Sequence, residues 1–224
     1  MEPGISKLVA KISKELDNQK ISGWFFDVGA NVGLYSWEVR KVSPHRKILA
    51  FEPDPENIIL LEKTLNGANF QNVEICKCAL SNRLAEASFF QDNLTSATGS
   101  LAGKDKPWIE QYLNGSANEI RVKTETLDSV VSEDKTPSLI KIDVEGHEVE
   151  VLQGGRNTLS EAKPLLIIES FPPKQCTVLS LLDELGYHYI DADRHASMNP
   201  KTTNLFAWHP QGPLSEAIVK KLTI

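Results

Sequence analysis

One acid and two glycines are the residues of this chain whose types and spacing most clearly predict chemistry. Asp27, Gly29 and Gly33 lie in the stretch F-D-V-G-A-N-V-G, which ends an apolar run and precedes apolar residues at helical spacing. A buried strand that turns through glycines into a helix lets its backbone approach a ligand and offers N–H groups to an anionic part of it. The spacing is G-x-x-x-G, whereas dinucleotide binders use G-x-G-x-x-G. The turn therefore predicts a site for a nucleotide-like cofactor without a pyrophosphate.

A further acid, Glu52, ends the next apolar run, 19 residues beyond Gly33. At the end of a second strand it is placed to accept hydrogen bonds from both hydroxyls of a ribose. S-Adenosylmethionine fits this pair of features, since it carries a ribose, a sulfonium cation and an amino-acid end but no phosphate. We expect Asp27 to contact its ammonium group, directly or through water. We expect its carboxylate to bind the backbone amides of the glycine turn, which are those of Gly29, Ala30, Asn31, Val32 and Gly33.

Apolar runs alternate with amphipathic segments along the chain, which predicts a mostly parallel α/β sheet covered on two faces. The predicted strands are 24–28, 47–51, 73–79, 87–91, 119–123, 139–144, 165–170, 187–190 and 205–208. The predicted helices are 5–16, 32–42, 55–65, 126–131, 148–152, 176–185 and 214–222. No strong helical pattern separates the last two strands, so we expect them to be antiparallel.

The domain organisation predicted is an amphipathic helix over 1–20, appended to a single domain over 21–224. The segment 92–118 is rich in serine, threonine, glycine and asparagine, and only 107–113 has a helical pattern. Long connections of this kind are usually functional or disordered. We interpret 92–118 as a variable insertion, either a substrate lid or a disordered loop.

Composition argues against several classes of partner. The net charge is −6 and the pI about 5.4, and no run of lysine or arginine resembles a nucleic-acid footprint. The apolar runs are too short to cross a bilayer, and the N-terminus has no signal-peptide core. The three cysteines fit a reducing cytoplasm, and we interpret Cys76 and Cys78 as packed thiols rather than zinc ligands. We therefore expect a cytoplasmic protein without nucleic-acid or membrane partners; the sequence carries no signal for an oligomeric state.

The second strong motif is L-I-K-I-D-V-E-G-H-E-V-E-V-L-Q-G-G, over 139–155. Together with the glycine turn, the F-E-P of 51–53, the A-L-S of 79–81 and the L-I-I-E of 166–169, it resembles the FkbM-type methyltransferases. The resemblance covers about 23–171, with a looser match to 208. It implies a class I, Rossmann-like three-layer sandwich, with a seven-stranded sheet and an antiparallel C-terminal hairpin. It also implies O-methylation of a hydroxyl on a sugar, polyketide or other small-molecule acceptor, with S-adenosylmethionine converted to S-adenosylhomocysteine.

Several side chains are candidates for the reaction, in which an acceptor oxygen attacks the methyl carbon in line with the sulfonium. Asp143, which we also expect to contact the cofactor, is the first candidate for the general base, and His147 is the second. Glu145 either orients the acceptor or fixes its loop. Leu80 and Ser81 are expected to border the adenine. A divalent-metal site made by Asp143, Glu145, His147 and Glu169 is a less favoured alternative.

Two other functions stay open at this point. One is a nicotinamide-dependent oxidoreductase, which the glycine spacing disfavours. The other is a protein that binds S-adenosylmethionine without catalysing a reaction. The loop that carries Asp143 argues against this second alternative.

Overall fold

The computed structural model describes residues 3–91, 101 and 118–222, in which strands alternate with helices. The strands are β1 (Trp24–Val28), β2 (Ile48–Phe51), β3 (Val73–Cys76), β4 (Ala79–Leu80), β5 (Ala85–Gln91), β6 (Asn118–Glu125), β7 (Pro137–Ile142), β8 (Leu165–Glu169), β9 (His188–Asp191) and β10 (Asn204–Trp208). The helices are α1 (Pro3–Asn18), α2 (Leu34–Val42), α3 (Pro55–Gly67), α4 (Leu127–Val130), α5 (Glu148–Gln153), α6 (Arg156–Glu161), α7 (Gln175–Glu184) and α8 (Glu216–Leu222).

Seven strands form the main sheet, in the order β3-β2-β1-β7-β8-β10-β9. The five from β3 to β8 are parallel, and β10 runs antiparallel to both β8 and β9. This confirms the mostly parallel sheet and the antiparallel C-terminal pair that were predicted. Parallel neighbours bring the ends of β1, β2 and β7 to one edge of the sheet, where Gly29, Glu52 and Asp143 follow them.

A second sheet, in the order β4-β6-β5, was not predicted. The expected strand over 73–79 divides into β3 and β4, because Cys78 N donates to Cys76 O at 2.9 Å and turns the chain. β5 and β6 pair antiparallel over seven residues and expose many of their side chains. The strands β1, β2 and β7 of the main sheet are buried on both faces, whereas this ribbon is half exposed.

Helices cover both faces of the main sheet. On one face, the strands pack with α5, α6 and α7 in a cluster that includes Phe26 and Leu182. On the other, they pack with α1, α2 and α8 in a cluster that includes Phe25 and Ile12. Phe25 and Phe26 thus point to opposite layers, as successive residues of a strand must. This is the three-layer α/β arrangement predicted.

The N-terminal helix is amphipathic, as predicted, and its apolar side is buried in the core: Ile5, Leu8, Val9, Ile12 and Leu16. Lys11 Nζ donates to Leu222 O at 3.0 Å and joins α1 to α8. The division of the chain into 1–20 and 21–224 stays a prediction. The predicted lid over 92–118, with its helix at 107–113, lies outside the described residues apart from 101 and 118. Within 3–91, 101 and 118–222, no helix has the length and apolar character needed to cross a membrane.

Candidate active site

A cleft of about 740 Å³, counting the part open to solvent, lies at the carboxyl ends of the parallel strands. Ligands of open α/β sheets bind at this edge. Its lining residues are Val28, Gly29 and Asn31 at the end of β1; Phe51, Glu52, Pro53 and Asn57 from the end of β2 into α3; Cys78, Ala79 and Leu80 around β4; Asp143, Val144, Glu145 and His147 after β7; and Phe89, Leu101 and Glu169.

The two sequence motifs meet at Gly29. This residue has φ +79°, and a Cβ added to it would lie 1.9 Å from the carbonyl oxygen of Asp143. Asp143 N donates to Val28 O at 3.0 Å, which continues the β1–β7 pairing beyond β7. The backbone after β1 and the backbone after β7 are therefore in direct contact, and only glycine fits between them.

The amides of the glycine turn all donate within the protein. Gly29 N and Ala30 N donate to Phe51 O, and Gly33 N donates to Ala30 O at 2.7 Å. Asn31 N donates to Glu52 Oε2 at 2.7 Å, and Val32 N donates to the Asn31 side chain at 2.7 Å. In this conformation none of the five amides is directed at a cofactor carboxylate, so that role stays a prediction.

Glu52 is nearly fully buried and lines the cleft. Its Oε2 accepts from Asn31 N, and its Oε1 accepts from Asp54 N at 2.9 Å. Burial raises the pKa of Glu52 to about 7, although these two amide bonds oppose the shift. A carboxylate has about four acceptor positions, so Glu52 can hold both amides and a hydrogen bond from the Asn57 side chain and still accept from a hydroxyl group in the cleft.

Asp27 is fully buried and lies behind the cleft instead of lining it. Its Oδ2 accepts from Ser36 N at 3.0 Å and Ser36 Oγ at 2.6 Å, which fixes the first turn of α2. Burial raises its pKa to about 6, and Oδ1 makes no hydrogen bond to the described residues. Two further residues of the turn do not line the cleft. Ala30 packs near Leu61, and Gly33 lies against the Trp37 ring.

Lys141 is a fully buried cation that the sequence interpretation missed. Its Nζ lies 3.1 Å from Asp143 Oδ2 and 4.9 Å from the centre of the Tyr35 ring. Burial disfavours ionisation of Asp143, yet the Lys141 charge, followed by the side-chain hydrogen bonds that Asp143 shares with Glu169 and Lys141, keeps its pKa below the usual value. The signal was present in the sequence, as one lysine within the apolar strand L-I-K-I.

Glu145 lines the cleft from a left-handed backbone conformation, with φ +50°. Burial, together with the nearby charges of Asp143 and Glu148, raises its pKa to about 7. Glu148 itself is buried and accepts from Gly146 N at 2.7 Å, which holds the loop before α5 in place. A buried carboxyl group with a pKa near neutrality is a common arrangement for proton transfer.

His147 connects the loop after β7 to the segment after β4. Its Nε2 lies 3.0 Å from Ser81 Oγ, and its Nδ1 lies 3.5 Å from Glu150 Oε2. Burial lowers the pKa of His147, which favours the neutral imidazole. His147 lines the cleft beside Leu80, whereas Ser81 reaches it only through this contact.

The cleft fits the methyl donor predicted from the sequence. Its described lining contains four acids and neither lysine nor arginine: Glu52, Asp143, Glu145 and Glu169. Such a surface complements sulfonium and ammonium cations and repels a pyrophosphate. Glu52 supplies an acceptor for ribose hydroxyls, and Asp27 Oδ1 is a buried acceptor behind the glycine turn. Within the described part of the chain, no group of three or more histidine, cysteine, aspartate or glutamate residues is arranged to hold a metal ion.

Comparisons with known proteins agree with this geometry. The family model described as the methyltransferase FkbM domain matches residues 27–189. Methyltransferase sdnD of Sordaria araneosa is 28% identical, covering 77% of this chain and 76% of that protein. Hexuronic acid methyltransferase AglP of Haloferax volcanii is 27% identical over 69% of this chain and 59% of its own length. 2-O-methyltransferase NoeI of Sinorhizobium fredii is 26% identical over 61% of this chain and 59% of its own length.

A solved structure, methyltransferase FkbM from Methylobacillus flagellatus, aligns with a TM-score of 0.58 at 19% identity. The alignment covers 83% of this chain and 43% of that one. At this identity the likeness concerns the fold, which is that of the class I methyltransferases.

Proposed function

Because the chain belongs to the FkbM methyltransferase family, which uses S-adenosylmethionine, we propose that it methylates a hydroxyl group of a small metabolite. The observation that carries this proposal is Glu145, a carboxyl group in the cleft whose pKa is about 7. A hydroxyl is a weak nucleophile, and its attack is assisted by a base that is deprotonated near neutral pH.

S-Adenosylmethionine supplies a methyl group bonded to a sulfonium, which makes the methyl carbon electrophilic. Glu52 would accept hydrogen bonds from the ribose at the β2 end of the cleft. Asp143, kept ionised by Lys141, would stabilise positive charge at the β7 end. The two carboxylates would thereby position the donor between them.

Glu145 fits the role of general base better than Asp143, the first candidate from the sequence. Asp143 has a lowered pKa and is held by Lys141, so its carboxylate binds a proton weakly. His147 has a lowered pKa, and its Nε2 is engaged with Ser81. Glu145 combines a place in the cleft with a proton affinity near neutrality, so we assign it the proton of the acceptor hydroxyl.

The acceptor class follows from charge and from the names of relatives. AglP is named for hexuronic acid, and NoeI for 2-O-methylation. Both names support a hydroxylated acceptor. In this chain the described lining of the cleft contains four acids and neither lysine nor arginine, so an acceptor carboxylate would find no cation to pair with there. We therefore propose a neutral sugar or polyketide alcohol as the acceptor.

The test is transfer of an isotopically labelled methyl group to a panel of neutral sugars, uronic acids and polyketide alcohols, analysed by mass spectrometry. We expect methyl ethers of neutral acceptors. Glu145→Gln should lower turnover by about 100-fold or more while S-adenosylhomocysteine still binds. Glu161→Gln, at an exposed position of α6, is the matched control. A wild-type protein that binds the donor but methylates no hydroxyl would contradict the proposal.

A further inference from the structure

Cys76 and Cys78 form a close pair of thiols. Their Sγ atoms lie 2.8 Å apart, and Cys78 N donates to Cys76 O across the turn that joins β3 to β4. A disulfide bond is about 2.05 Å long, so the two sulfur atoms are already within about 0.8 Å of bonding distance. The main chain and both side chains are therefore arranged for an intramolecular disulfide with little movement.

The pair borders the cofactor cleft. Cys78 is 3% exposed and lines the cleft next to Leu80. Cys76 ends β3, and its carbonyl oxygen accepts from Glu52 N at 3.1 Å. The turn thus connects directly to Glu52 on one side and to the cleft wall on the other.

We propose that Cys76 and Cys78 are a reversible redox site, at which oxidation by a hydroperoxide to a disulfide weakens binding of S-adenosylmethionine and S-adenosylhomocysteine. This inference rests on the donor site alone and needs neither the acceptor nor the base proposed above.

Cys76 is the residue that reacts first. It is partly exposed, whereas Cys78 is buried, and a hydrogen bond from the Cys78 thiol lowers the pKa of Cys76. The thiolate is the reactive form of cysteine. Cys76 Sγ attacks one oxygen of hydrogen peroxide and breaks the O–O bond. A sulfenic acid forms on Cys76, and the released hydroxide takes a proton to become water.

Cys78 completes the reaction. Its sulfur attacks Cys76 Sγ, the S–S bond forms and the S–O bond breaks, and the oxygen leaves as a second water with the Cys78 proton. In total, two thiols are oxidised and one hydrogen peroxide is reduced to two waters. Exchange with a small-molecule thiol such as dithiothreitol restores both thiols.

The disulfide would affect the cleft through the turn itself. Bond formation draws the side chain of Cys78, which lines the cleft, toward Cys76 and changes the cleft wall at that point. Coupling between two sites is reciprocal, so bound S-adenosylhomocysteine must favour the reduced thiols by the same factor. This reciprocity gives a test that does not depend on catalysis.

The first experiment asks whether the bond forms. Cys176, on the exposed side of α7, is replaced in Cys176→Ser so that Cys76 and Cys78 are the remaining cysteines. After hydrogen peroxide and digestion with trypsin without reductant, cleavage at Lys77 should leave peptides 64–77 and 78–83 linked, with two hydrogens lost. Peptides that stay separate, with thiols intact or over-oxidised, would overturn the proposal.

The second experiment measures affinity by calorimetry with S-adenosylhomocysteine. We expect the oxidised protein to bind about fivefold or more weakly than the reduced protein, and dithiothreitol to restore binding. Cys76→Ser removes a thiol that does not line the cleft. This variant should bind S-adenosylhomocysteine with wild-type affinity, and hydrogen peroxide should not change that affinity. In glutathione buffers, S-adenosylhomocysteine should shift the thiol–disulfide equilibrium toward the thiols.

Equal affinity in the two redox states would overturn the coupling. Failure of the reduced protein to bind S-adenosylhomocysteine would overturn it too, together with the donor site. Binding that responds to oxidation, without methyl transfer to any hydroxyl, would support the redox site while contradicting the proposed acceptor.

Discussion

Gly29 and Asp143 touch through their backbones, with no space for a side chain on Gly29. An added Cβ would lie 1.9 Å from the Asp143 carbonyl oxygen, and the φ of +79° is itself unfavourable for any other residue. The cofactor turn after β1 and the acid-bearing loop after β7 are therefore one packed unit, although they are far apart in the chain.

Gly29→Ala should separate these two loops. We expect the free energy of unfolding to fall by about 2 kcal/mol or more, from overpacking and backbone strain together, and S-adenosylhomocysteine binding to weaken. Gly67→Ala in α3 is the control, because a Cβ there meets nothing within 4 Å. It should raise stability by up to about 1 kcal/mol. Urea unfolding measures the free energy of unfolding of both variants. Equal changes in Gly29→Ala and Gly67→Ala would contradict this account of Gly29.

Glu52→Gln should weaken donor binding. The two oxygens of Glu52 each accept from a different backbone amide, and an amide side chain must turn its NH₂ toward one of them. We expect the Kd for S-adenosylhomocysteine to rise about tenfold or more at about pH 8, where Glu52 is ionised. Glu56→Gln, exposed on α3, should bind as wild type. Unchanged affinity in Glu52→Gln would exclude Glu52 from the ribose site.

The pH profile of kcat/KM should report Glu145. Wild-type kcat/KM should rise with pH through an apparent pKa near 7, since the base of the free enzyme must lose its proton. Glu145→Gln should lower kcat/KM and abolish that rise. If the rise persists in Glu145→Gln and disappears in His147→Gln, the base is His147.

Lys141→Met should destabilise the fold. The substitution removes the cation that lies 3.1 Å from the Asp143 carboxylate. Lys141 is fully buried, so water does not replace its charge. Breaking a fully buried pair costs about 3–5 kcal/mol, and because 25% of the Asp143 side chain is exposed at the cleft, we expect a cost at the lower end of this range. Lys135→Met breaks the more exposed pair with Glu74 and should cost about 1 kcal/mol or less. Denaturant midpoints of the two variants give the comparison.

Asp27→Asn should change how stability depends on pH. The folded protein holds the Asp27 proton with a pKa of about 6, above the value of about 3.9 in unfolded chains. The raised pKa stabilises the fold at low pH, and this contribution is lost as pH rises through about 6. The difference in the free energy of unfolding, wild type minus the Asp27→Asn variant, should therefore decrease between about pH 4 and pH 7. Asp134→Asn, at an exposed position, is the control and should show no such trend.

The sequence predicted β1, β2, β7 and β8 well because each is a mostly apolar run with an acid near or just after its end, as Glu52 follows β2. The single strand predicted over 73–79 was wrong at Lys77, where the chain turns between two cysteines and no glycine or proline indicates a turn. The sequence could not show that Asp27 faces Ser36 or that Lys141 holds Asp143, because both depend on side-chain packing between separate elements. The sequence pattern identifies the residues at the carboxyl edge of the sheet, but the packing of side chains from separate elements determines which of them line the cleft.

The position of β10 has a consequence for the order in which the protein folds. β10 lies between β8 and β9 in the sheet, although β9 precedes it in the chain. During synthesis β9 emerges from the ribosome before the strand with which it pairs. Until Trp208 has left the exit tunnel, β8 keeps an open edge at which a nascent chain can mispair.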